Sequence, residues 1–318
     1  MHDAADGTAG RTFPAPADRT RATTVGTRLL VLDVDGTVCD SRHEVSAAAC
    51  AGVARVRAAG IEVILATGRR YRDTLPVAAR LGVAGPLVTA SGALVKRPGD
   101  HATLLRAAFE PEVLAGVLAL IVERGHEPVV YTDSYAEGFD FHCRGLPDPS
   151  SAGGGVAQYL DYNRALACVR PDLDRAPPAG VFAGFAMGSR EAMLDLQTAL
   201  HGTWPGRLST HVIRSPRYRD WLCEIAPAGI TKWSGILAVA EGLGIGPGSI
   251  CAVGDDVNDL PMIRAAGLGI AMGNGTPEVR EAADRVVAAH DDGGVAEVAD
   301  ILLAGLAQTA PPRAPRTR

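Results

Sequence analysis

Two aspartates separated by a single residue, Asp33 and Asp35, carry the clearest chemical signal in the sequence. They follow the apolar run from Leu29 to Leu32, which predicts a strand buried on both faces, and they precede Gly36, which permits a sharp turn. Two carboxylates at the end of one strand repel each other unless a cation or a shared proton relieves the repulsion. The pair therefore predicts a metal site or acid–base chemistry. The structural alternative is that both aspartates only cap the turn that follows.

Polar residues also stand at three further ends of predicted elements. Thr67 follows one predicted strand, and Lys232 opens a predicted helix. Asp255 and Asp259 follow another predicted strand. The carboxyl ends of the strands in an open parallel sheet form the edge at which such folds bind ligands. Together these residues supply carboxylates, a hydroxyl, an ammonium and backbone N–H groups, which is what a phosphoryl group needs during transfer.

Strand and helix patterns alternate in residues 27–93 and again in residues 226–306, and this alternation predicts an α/β fold with a Rossmann-like parallel-sheet core. The predicted strands cover residues 29–32, 61–66, 86–90, 249–253 and 267–272. The predicted helices cover residues 46–59, 71–81, 232–243, 277–283 and 294–306. The residues that could take part in catalysis or binding all lie at the ends of these elements.

Residues 94–225 interrupt the alternation with short strands that carry aromatic residues and with helices between them. This stretch predicts a separate α+β domain inserted in the sheet domain. Its predicted strands lie near 128–132, 182–187, 211–214 and 222–225, and its predicted helices near 112–124 and 190–201. The run 150–155 predicts a flexible connector, and residues 1–26 and 307–318 predict disordered tails.

The composition limits the classes of partner. The chain has 318 residues, of which 47% are hydrophobic and 21% charged, so it is long enough for two globular domains. A formal net charge of −5 gives no general attraction to nucleic acid or to anionic membranes, and we expect neither as a partner. The six cysteines are scattered, which favours a reduced, cytoplasmic protein. The sequence does not indicate an oligomeric state.

At the residues singled out above, the chain resembles the haloacid dehalogenase (HAD) superfamily of phosphohydrolases. The resemblance covers roughly residues 28–305. Within the superfamily it is similar to the Cof-type branch, whose cap domain lies between the second and third motifs, because the interval from Thr67 to Lys232 far exceeds a strand–helix–strand link. The matching segments are Asp33-Val34-Asp35-Gly36-Thr37, Thr67-Gly68-Arg69, Lys232 and Gly254-Asp255-Asp256-Val257-Asn258-Asp259.

The resemblance implies a role for each acid of the first motif. Asp33 would be the nucleophile that forms an aspartyl-phosphate. The side chain of Asp35 would protonate the leaving oxygen and then accept a proton from the hydrolytic water. Mg²⁺ would be held by the carboxylates of Asp33 and Asp255 and by the backbone carbonyl of Asp35.

The resemblance also implies which residues hold the phosphate. Thr67 and the backbone N–H of Gly68 would bind phosphate oxygens, as would Asn258. Lys232 would stabilise the charge on the nucleophile and on the phosphoryl group, and Asp259 would orient Lys232 or a metal-bound water.

Two features of the chain bear on substrate recognition. Many relatives have Asn-Gly-Ala where this chain has Ser91-Gly92-Ala93, which leaves the part of Ser91 in substrate contact open. Candidate substrate contacts in the inserted domain are Tyr131, Asp133, His142, Arg144 and Arg217, and for each of them ordinary packing or solvent exposure is the favoured alternative. His142 is a poor candidate for a metal ligand, since Mg²⁺ prefers oxygen.

The function that the resemblance implies is that of an enzyme, a Mg²⁺-dependent phosphatase. Its substrate would be a small phosphorylated metabolite, such as a sugar phosphate or a phosphorylated cofactor. A phosphomutase or phosphotransferase of the same superfamily is one alternative. A receiver-type signalling protein is another, and the paired acids on the first strand and the large insertion argue against it.

Overall fold

The fold contains two sheets, each covered by helices. A computed structural model of the protein describes residues 26–148, 153–215 and 217–309. The predicted tails lie outside the described residues, except for residue 26 and for residues 307–309, which end the last helix. The first part of the predicted connector, residues 150–152, also lies outside them.

The N-terminal part of the described chain alternates strands and helices before it ends in two short strands. Helix α1 begins after Ser46, whose side chain accepts a hydrogen bond from the backbone N–H of Ala49 and so caps the helix. Helix α2 ends at Gly82, which has a left-handed φ of 68°. The elements are β1 (Leu29–Leu32), α1 (Ala47–Ala58), β2 (Glu62–Ala66), α2 (Tyr71–Leu81), β3 (Leu87–Thr89), β4 (Leu94–Lys96) and β5 (Thr103–Arg106).

The middle part of the chain builds a six-stranded sheet of its own, in the order β10-β11-β9-β6-β7-β8. Neighbouring strands are antiparallel except for β7 and β8. Helices α3 and α5 pack on one face of this sheet and α4 packs on the other. The elements are α3 (Pro111–Glu123), β6 (Val129–Tyr131), β7 (Phe141–Cys143), α4 (Gly155–Tyr162), β8 (Ala167–Val169), β9 (Ala183–Gly188), α5 (Arg190–Thr203), β10 (Leu208–Arg214) and β11 (Trp221–Pro227).

The C-terminal part returns to the first sheet and completes eight strands in the order β14-β13-β12-β1-β2-β3-β4-β5. Strands β14 to β3 are parallel, and helices cover both faces, so the predicted α/β fold class with an inserted α+β domain is confirmed. Among the described residues, no helix has both the length and the apolar character needed to cross a bilayer. The elements are α6 (Lys232–Gly242), β12 (Ile250–Gly254), α7 (Leu260–Ala265), β13 (Leu268–Ala271), α8 (Pro277–Ala282), β14 (Arg285–Val286) and α9 (Gly294–Thr309).

The limits of the insertion differ from the predicted 94–225. Strands β4 and β5 pair antiparallel with β3 and extend the first sheet, because the apolar residues Leu94 and Val95 are buried against it. At the other end, β11 continues to Pro227 in the second sheet. We call the eight-stranded sheet the core sheet, and residues 111–227 the inserted module.

Strand β1 occupies the position in the core sheet that matters most for a ligand. It lies between β12 and β2 and is parallel to both, so the carboxyl ends of all three strands reach the same edge. The chain leaves β1 toward β2 on one side, while β12 lies on the other side. This edge is therefore a topological switch point, where open α/β sheets bind their ligands.

Candidate active site

Asp33 follows β1 directly and is almost fully buried, with 4% of its surface exposed. Its backbone N–H donates a hydrogen bond to the carbonyl oxygen of Val253 at 3.0 Å, which fixes the residue beside the end of β12. The Nζ of Lys232 donates to Asp33 Oδ1 at 2.7 Å. Asp33 is therefore held by Val253 and Lys232, both of which are distant from it in sequence.

Lys232 is the first residue of α6 and joins two buried carboxylates. Besides Asp33, its Nζ donates to Asp259 Oδ1 at 2.6 Å, and both Lys232 and Asp259 are buried. Burial disfavours the ammonium, but the negative charges of Asp259 and Asp33 outweigh it and raise the pKa of Lys232. The side chain therefore stays positively charged in the protein interior.

Asp255 follows β12 and is oriented by two contacts. Thr37 donates its Oγ1–H to Asp255 Oδ1 at 3.0 Å. Asp259 Oδ2 accepts hydrogen bonds from the backbone N–H groups of Asp255 and Asp256 at 2.9 and 3.1 Å. Asp259 therefore folds the loop that presents Asp255, in addition to holding Lys232.

The carboxyl groups of Asp33, Asp255 and Asp259 form a cluster that fits a divalent cation. One oxygen of each lies within 4.8 Å of the others. Burial raises the pKa of Asp33 to about 7 against the opposing charge of Lys232, and burial together with Asp33 raises the pKa of Asp255. Lys232 supplies one positive charge to three carboxyl groups. A hard cation that prefers oxygen ligands, such as Mg²⁺, would balance the remainder.

Gly36 makes room for this cluster. Its φ is +76°, and a Cβ at this position would lie 2.2 Å from Asp255 Oδ2. Any side chain here would therefore displace the Asp255 carboxylate as well as strain the backbone.

We expect Gly36→Ala to weaken the binding of Mg²⁺ by about tenfold or more, because Asp255 must move (about 1.4 kcal/mol for each tenfold). Isothermal titration with MgCl₂ measures the affinity. Gly60→Ala is the matched control, because Gly60 has a similar φ of +83° and open space around its Cβ position. The control should lose only about 1 kcal/mol of folding free energy to the left-handed backbone. Equal Mg²⁺ affinity in both variants would contradict the steric argument.

Thr67, Gly68 and Asn258 lie together beside the acidic cluster. Thr67 is buried after β2, and its Oγ1 accepts a hydrogen bond from the backbone N–H of Arg69 at 3.1 Å. A Cβ on Gly68 would lie 3.4 Å from Ser91 Oγ and 3.8 Å from Asn258 Nδ2. The donors predicted to hold a phosphate therefore share one small region beside the acidic cluster.

The side chain of Asp35 is engaged by Arg69 in a two-pronged ion pair. Arg69 Nε donates to Asp35 Oδ2 at 2.7 Å, and Arg69 Nη2 donates to Oδ1 at 2.6 Å. Burial acts to raise the pKa of Asp35, but the hydrogen bonds and the charge of Arg69 outweigh it and lower the pKa. This arrangement favours the carboxylate form, which can accept a proton but cannot donate one.

The cluster opens into a cavity of about 450 Å³ between the core sheet and the inserted module. Two of the five residues of the inserted module that were candidates for substrate contact, Tyr131 and Arg217, line this cavity. The other three pack elsewhere: Asp133 pairs with Lys96, His142 contacts Thr132, and Arg144 pairs with Glu127. Seven of the eight predicted site residues also line the cavity, and Asp259 is the exception. The seven are Asp33, Asp35, Thr67, Gly68, Lys232, Asp255 and Asn258.

Two of the cavity-lining residues that were not predicted from the sequence make polar contacts at the site. Arg70 donates to Asp73 Oδ2 and, across to the inserted module, to Asn163 Oδ1, both at 2.7 Å. Glu224 on β11 accepts a hydrogen bond from Ser91 Oγ at 2.8 Å, and burial raises its pKa. The only signal for Glu224 was an acid within the otherwise apolar strand from Leu222 to Ala226.

Comparison with known proteins places these features in a wider group. A family model described as haloacid dehalogenase-like hydrolase matches residues 30–298. The stress response protein YhaX of Bacillus subtilis (strain 168) is 27% identical over 274 residues, which are 85% of this chain and 91% of that protein. The 5-amino-6-(5-phospho-D-ribitylamino)uracil phosphatase YitU of the same organism is 25% identical over 281 residues, 84% of this chain and 94% of that protein.

A solved structure supports the same fold. A haloacid dehalogenase-like hydrolase from Bacteroides thetaiotaomicron superposes with a TM-score of 0.70 at 24% sequence identity, and the match covers 86% of this chain and 99% of that chain. The agreement spans both sheets, since nearly the whole of that protein is matched.

Proposed function

Since this chain belongs to the haloacid dehalogenase-like hydrolases of the Cof type, we propose that it is a Mg²⁺-dependent phosphatase that hydrolyses a small phosphomonoester through a phosphorylated Asp33. The observation that carries the proposal is the convergence of Asp33, Lys232 and Asp255 at the carboxyl edge of the core sheet, facing one cavity. Phosphoryl transfer needs mainly positioning and the neutralisation of charge, and this group of residues supplies both.

Asp33 is the proposed nucleophile. One carboxylate oxygen of Asp33, whose Oδ1 accepts the hydrogen bond of Lys232, attacks the phosphorus, and the bond between phosphorus and the alcohol oxygen breaks. The alcohol leaves with a proton, and an acyl phosphate remains on Asp33. Water then attacks the phosphorus, gives its proton to a base and releases inorganic phosphate and the free carboxylate.

Asp35 is the proposed acid and base of these two steps. In its ion pair with Arg69 it is held as a carboxylate, which suits the second step, where it accepts the proton of the water. The first step needs its protonated form. We therefore propose that Arg69 releases Asp35 when substrate binds, and that Asp35 then takes up a proton from solvent and gives it to the leaving oxygen.

Three residues are proposed to hold the phosphate, and three to hold the metal. Thr67, the backbone N–H of Gly68 and Asn258 bind the phosphate oxygens. The carboxylates of Asp33 and Asp255 and the backbone carbonyl of Asp35 hold Mg²⁺. When bound, Mg²⁺ neutralises the negative charge of the carboxylates and of the phosphate that must approach them.

A small substrate is supported by the cavity and by a relative. A volume of about 450 Å³ is within the usual range for sites that enclose a small molecule. The relative YitU is named for a phosphorylated ribitylamino-uracil, which is a phosphomonoester of this size class. The cytoplasmic location stays a prediction from the six cysteines, all of which are free thiols.

Removal of the metal tests the proposal. We expect the protein to release inorganic phosphate from p-nitrophenyl phosphate in MgCl₂, and to lose at least about 100-fold in rate after treatment with EDTA, since the excess charge of the acidic cluster then repels the substrate. Renewed addition of MgCl₂ should restore the rate.

The products of the same assay distinguish the alternatives. Tested against a panel of phosphorylated metabolites, a phosphatase releases inorganic phosphate and the free alcohol. An isomerised phosphate ester without phosphate release would indicate a phosphomutase. A protein that becomes stably phosphorylated and does not turn over would indicate a receiver-type role.

A further inference from the structure

Glu224 brings an acidic group from the inserted module directly over the residues proposed to bind phosphate. Its Oε2 accepts the hydrogen bond of Ser91, and its Oε1 lies 3.0 Å from the position that a Cβ on Gly68 would occupy. The side chain is 19% exposed and lines the same cavity as Asp33. A carboxyl group thus stands within contact distance of the loop that is proposed to hold an anion.

The position of Glu224 is fixed from the core sheet by a strained turn. Ala90 and Ser91 have left-handed φ values of 47° and 53°, which residues with a side chain rarely adopt. The N–H of Ala90 donates to the carbonyl of Arg69, and the N–H of Ser91 donates to that of Thr67. The turn that positions Ser91 is therefore tied to the predicted phosphate-binding segment itself.

The free oxygen of Glu224 has the chemistry of a hydrogen-bond acceptor. Among the described residues, none donates a hydrogen bond to Oε1, whereas Oε2 is engaged by Ser91. An acidic group beside a bound phosphate is unfavourable unless the ligand brings donors to it. A leaving group with hydroxyl groups close to the ester oxygen supplies such donors.

The inserted module also contributes apolar and aromatic side chains to the cavity. Tyr131, Tyr159, Tyr218 and Leu222 of the inserted module line it. The carbon skeleton of a small alcohol can pack against these side chains while its hydroxyl groups face Glu224. The cavity therefore offers both an acceptor for hydroxyl groups and apolar surface for a carbon skeleton.

We propose that Glu224, positioned by Ser91, accepts hydrogen bonds from hydroxyl groups of the leaving alcohol and selects phosphate esters of polyhydroxylated alcohols over simple alkyl or aryl esters. The inference rests on the proposed phosphatase function and adds the substrate class. In it, Glu224 determines specificity, and Ser91 acts as a positioning residue.

A matched pair of substrates tests the inference. Erythritol phosphate and n-butyl phosphate have the same number of carbons and differ in their hydroxyl groups. We expect the wild-type protein to prefer erythritol phosphate in kcat/KM, and Glu224→Leu to reduce that preference by about 10- to 100-fold, as expected for the loss of hydrogen bonds to an acidic group. Glu137→Gln, at an exposed position of the inserted module, is the control and should keep the preference.

Variants of Ser91 test the positioning role. Ser91→Ala removes the hydrogen bond to Glu224 and should lower the preference for erythritol phosphate by a smaller factor than Glu224→Leu. Ser91→Asn should restore it, because asparagine tolerates a left-handed backbone and can donate to the carboxyl group. If the preference for erythritol phosphate is unchanged in both variants, Ser91 does not position Glu224.

The outcomes separate this inference from the proposed function. Equal hydrolysis of both esters by the wild-type protein would overturn the inference and leave the phosphatase function in place. The inference would also be overturned if Glu224→Leu hydrolysed both esters more slowly by the same factor. Glu224 would then act by holding the inserted module against the core sheet. No hydrolysis of either ester or of p-nitrophenyl phosphate would instead refute the phosphatase function.

Discussion

Replacement of Asp33 by asparagine is expected to lower kcat for p-nitrophenyl phosphate by more than about 10⁴-fold, the scale seen when a covalent nucleophile is removed. The amide cannot form the acyl phosphate and is a poorer ligand for Mg²⁺. The fold should persist, because Asp33 is a buried carboxylate whose pKa is raised to about 7, and a neutral amide relieves that cost of burial. The readouts are initial rates and the thermal unfolding midpoint.

A direct measurement of the intermediate completes this experiment. Wild-type protein mixed with substrate and quenched in acid should carry one phosphoryl group by intact-mass spectrometry, whereas Asp33→Asn should carry none. Asp195→Asn, at an exposed position of α5, controls for the loss of one negative charge and should behave as wild type. A phosphorylated Asp33→Asn protein would assign the nucleophile to another residue.

The convergence of the predicted residues at one edge of the core sheet could be anticipated, because these residues stand at the ends of elements with a strong local signal. The run from Leu29 to Leu32 is apolar throughout and forms β1 with the predicted limits, since a strand buried on both faces needs such a run. Helix α2 also has the predicted limits, 71–81, because Gly82 ends it in the left-handed conformation. The parallel topology then brings the ends of β1, β2 and β12 together.

The limits of the insertion could not be predicted, because pairing between short strands depends on partners that are distant in sequence. Strands β4 and β5 contain three and four residues, which fit an antiparallel extension of the core sheet as well as a strand of the inserted module. Strands β7 and β8 and the helix α4 were also not predicted. Each is short, and burial in the tertiary structure stabilises it more than its own sequence does.

The contacts between side chains were the least predictable feature. The sequence does not indicate that Arg69 pairs with Asp35, because the choice of partner for an arginine depends on how deeply the tertiary structure buries it. Glu224 precedes Lys232 by eight residues, but nothing in the sequence marks it as part of the site, and it reaches the phosphate-binding segment because β11 lies over that segment. A residue supplied by a different sheet leaves no spacing pattern in the sequence.

Replacement of Lys232 by methionine is expected to lower both activity and stability. Methionine fills a similar volume without the positive charge, so Asp33 and Asp259 are left buried without their shared partner. Removal of one member of a buried ion pair costs about 3–5 kcal/mol, and we expect a loss of this size in the free energy of unfolding, measured by urea denaturation in EDTA. Phosphatase activity should fall at least about 100-fold, because the charge that stabilises the transferring phosphoryl group is gone.

The double variant Lys232→Met/Asp259→Asn separates the two effects. The asparagine oxygen can still accept the backbone hydrogen bonds of Asp255 and Asp256, while the second buried charge is removed. Because the cost of Lys232→Met comes from carboxylates left without a partner, the double variant should regain about half or more of the lost stability. Activity should stay as low as in the single variant, since no positive charge returns to the phosphoryl group. Recovery of both quantities together would mean that Lys232 serves only the fold.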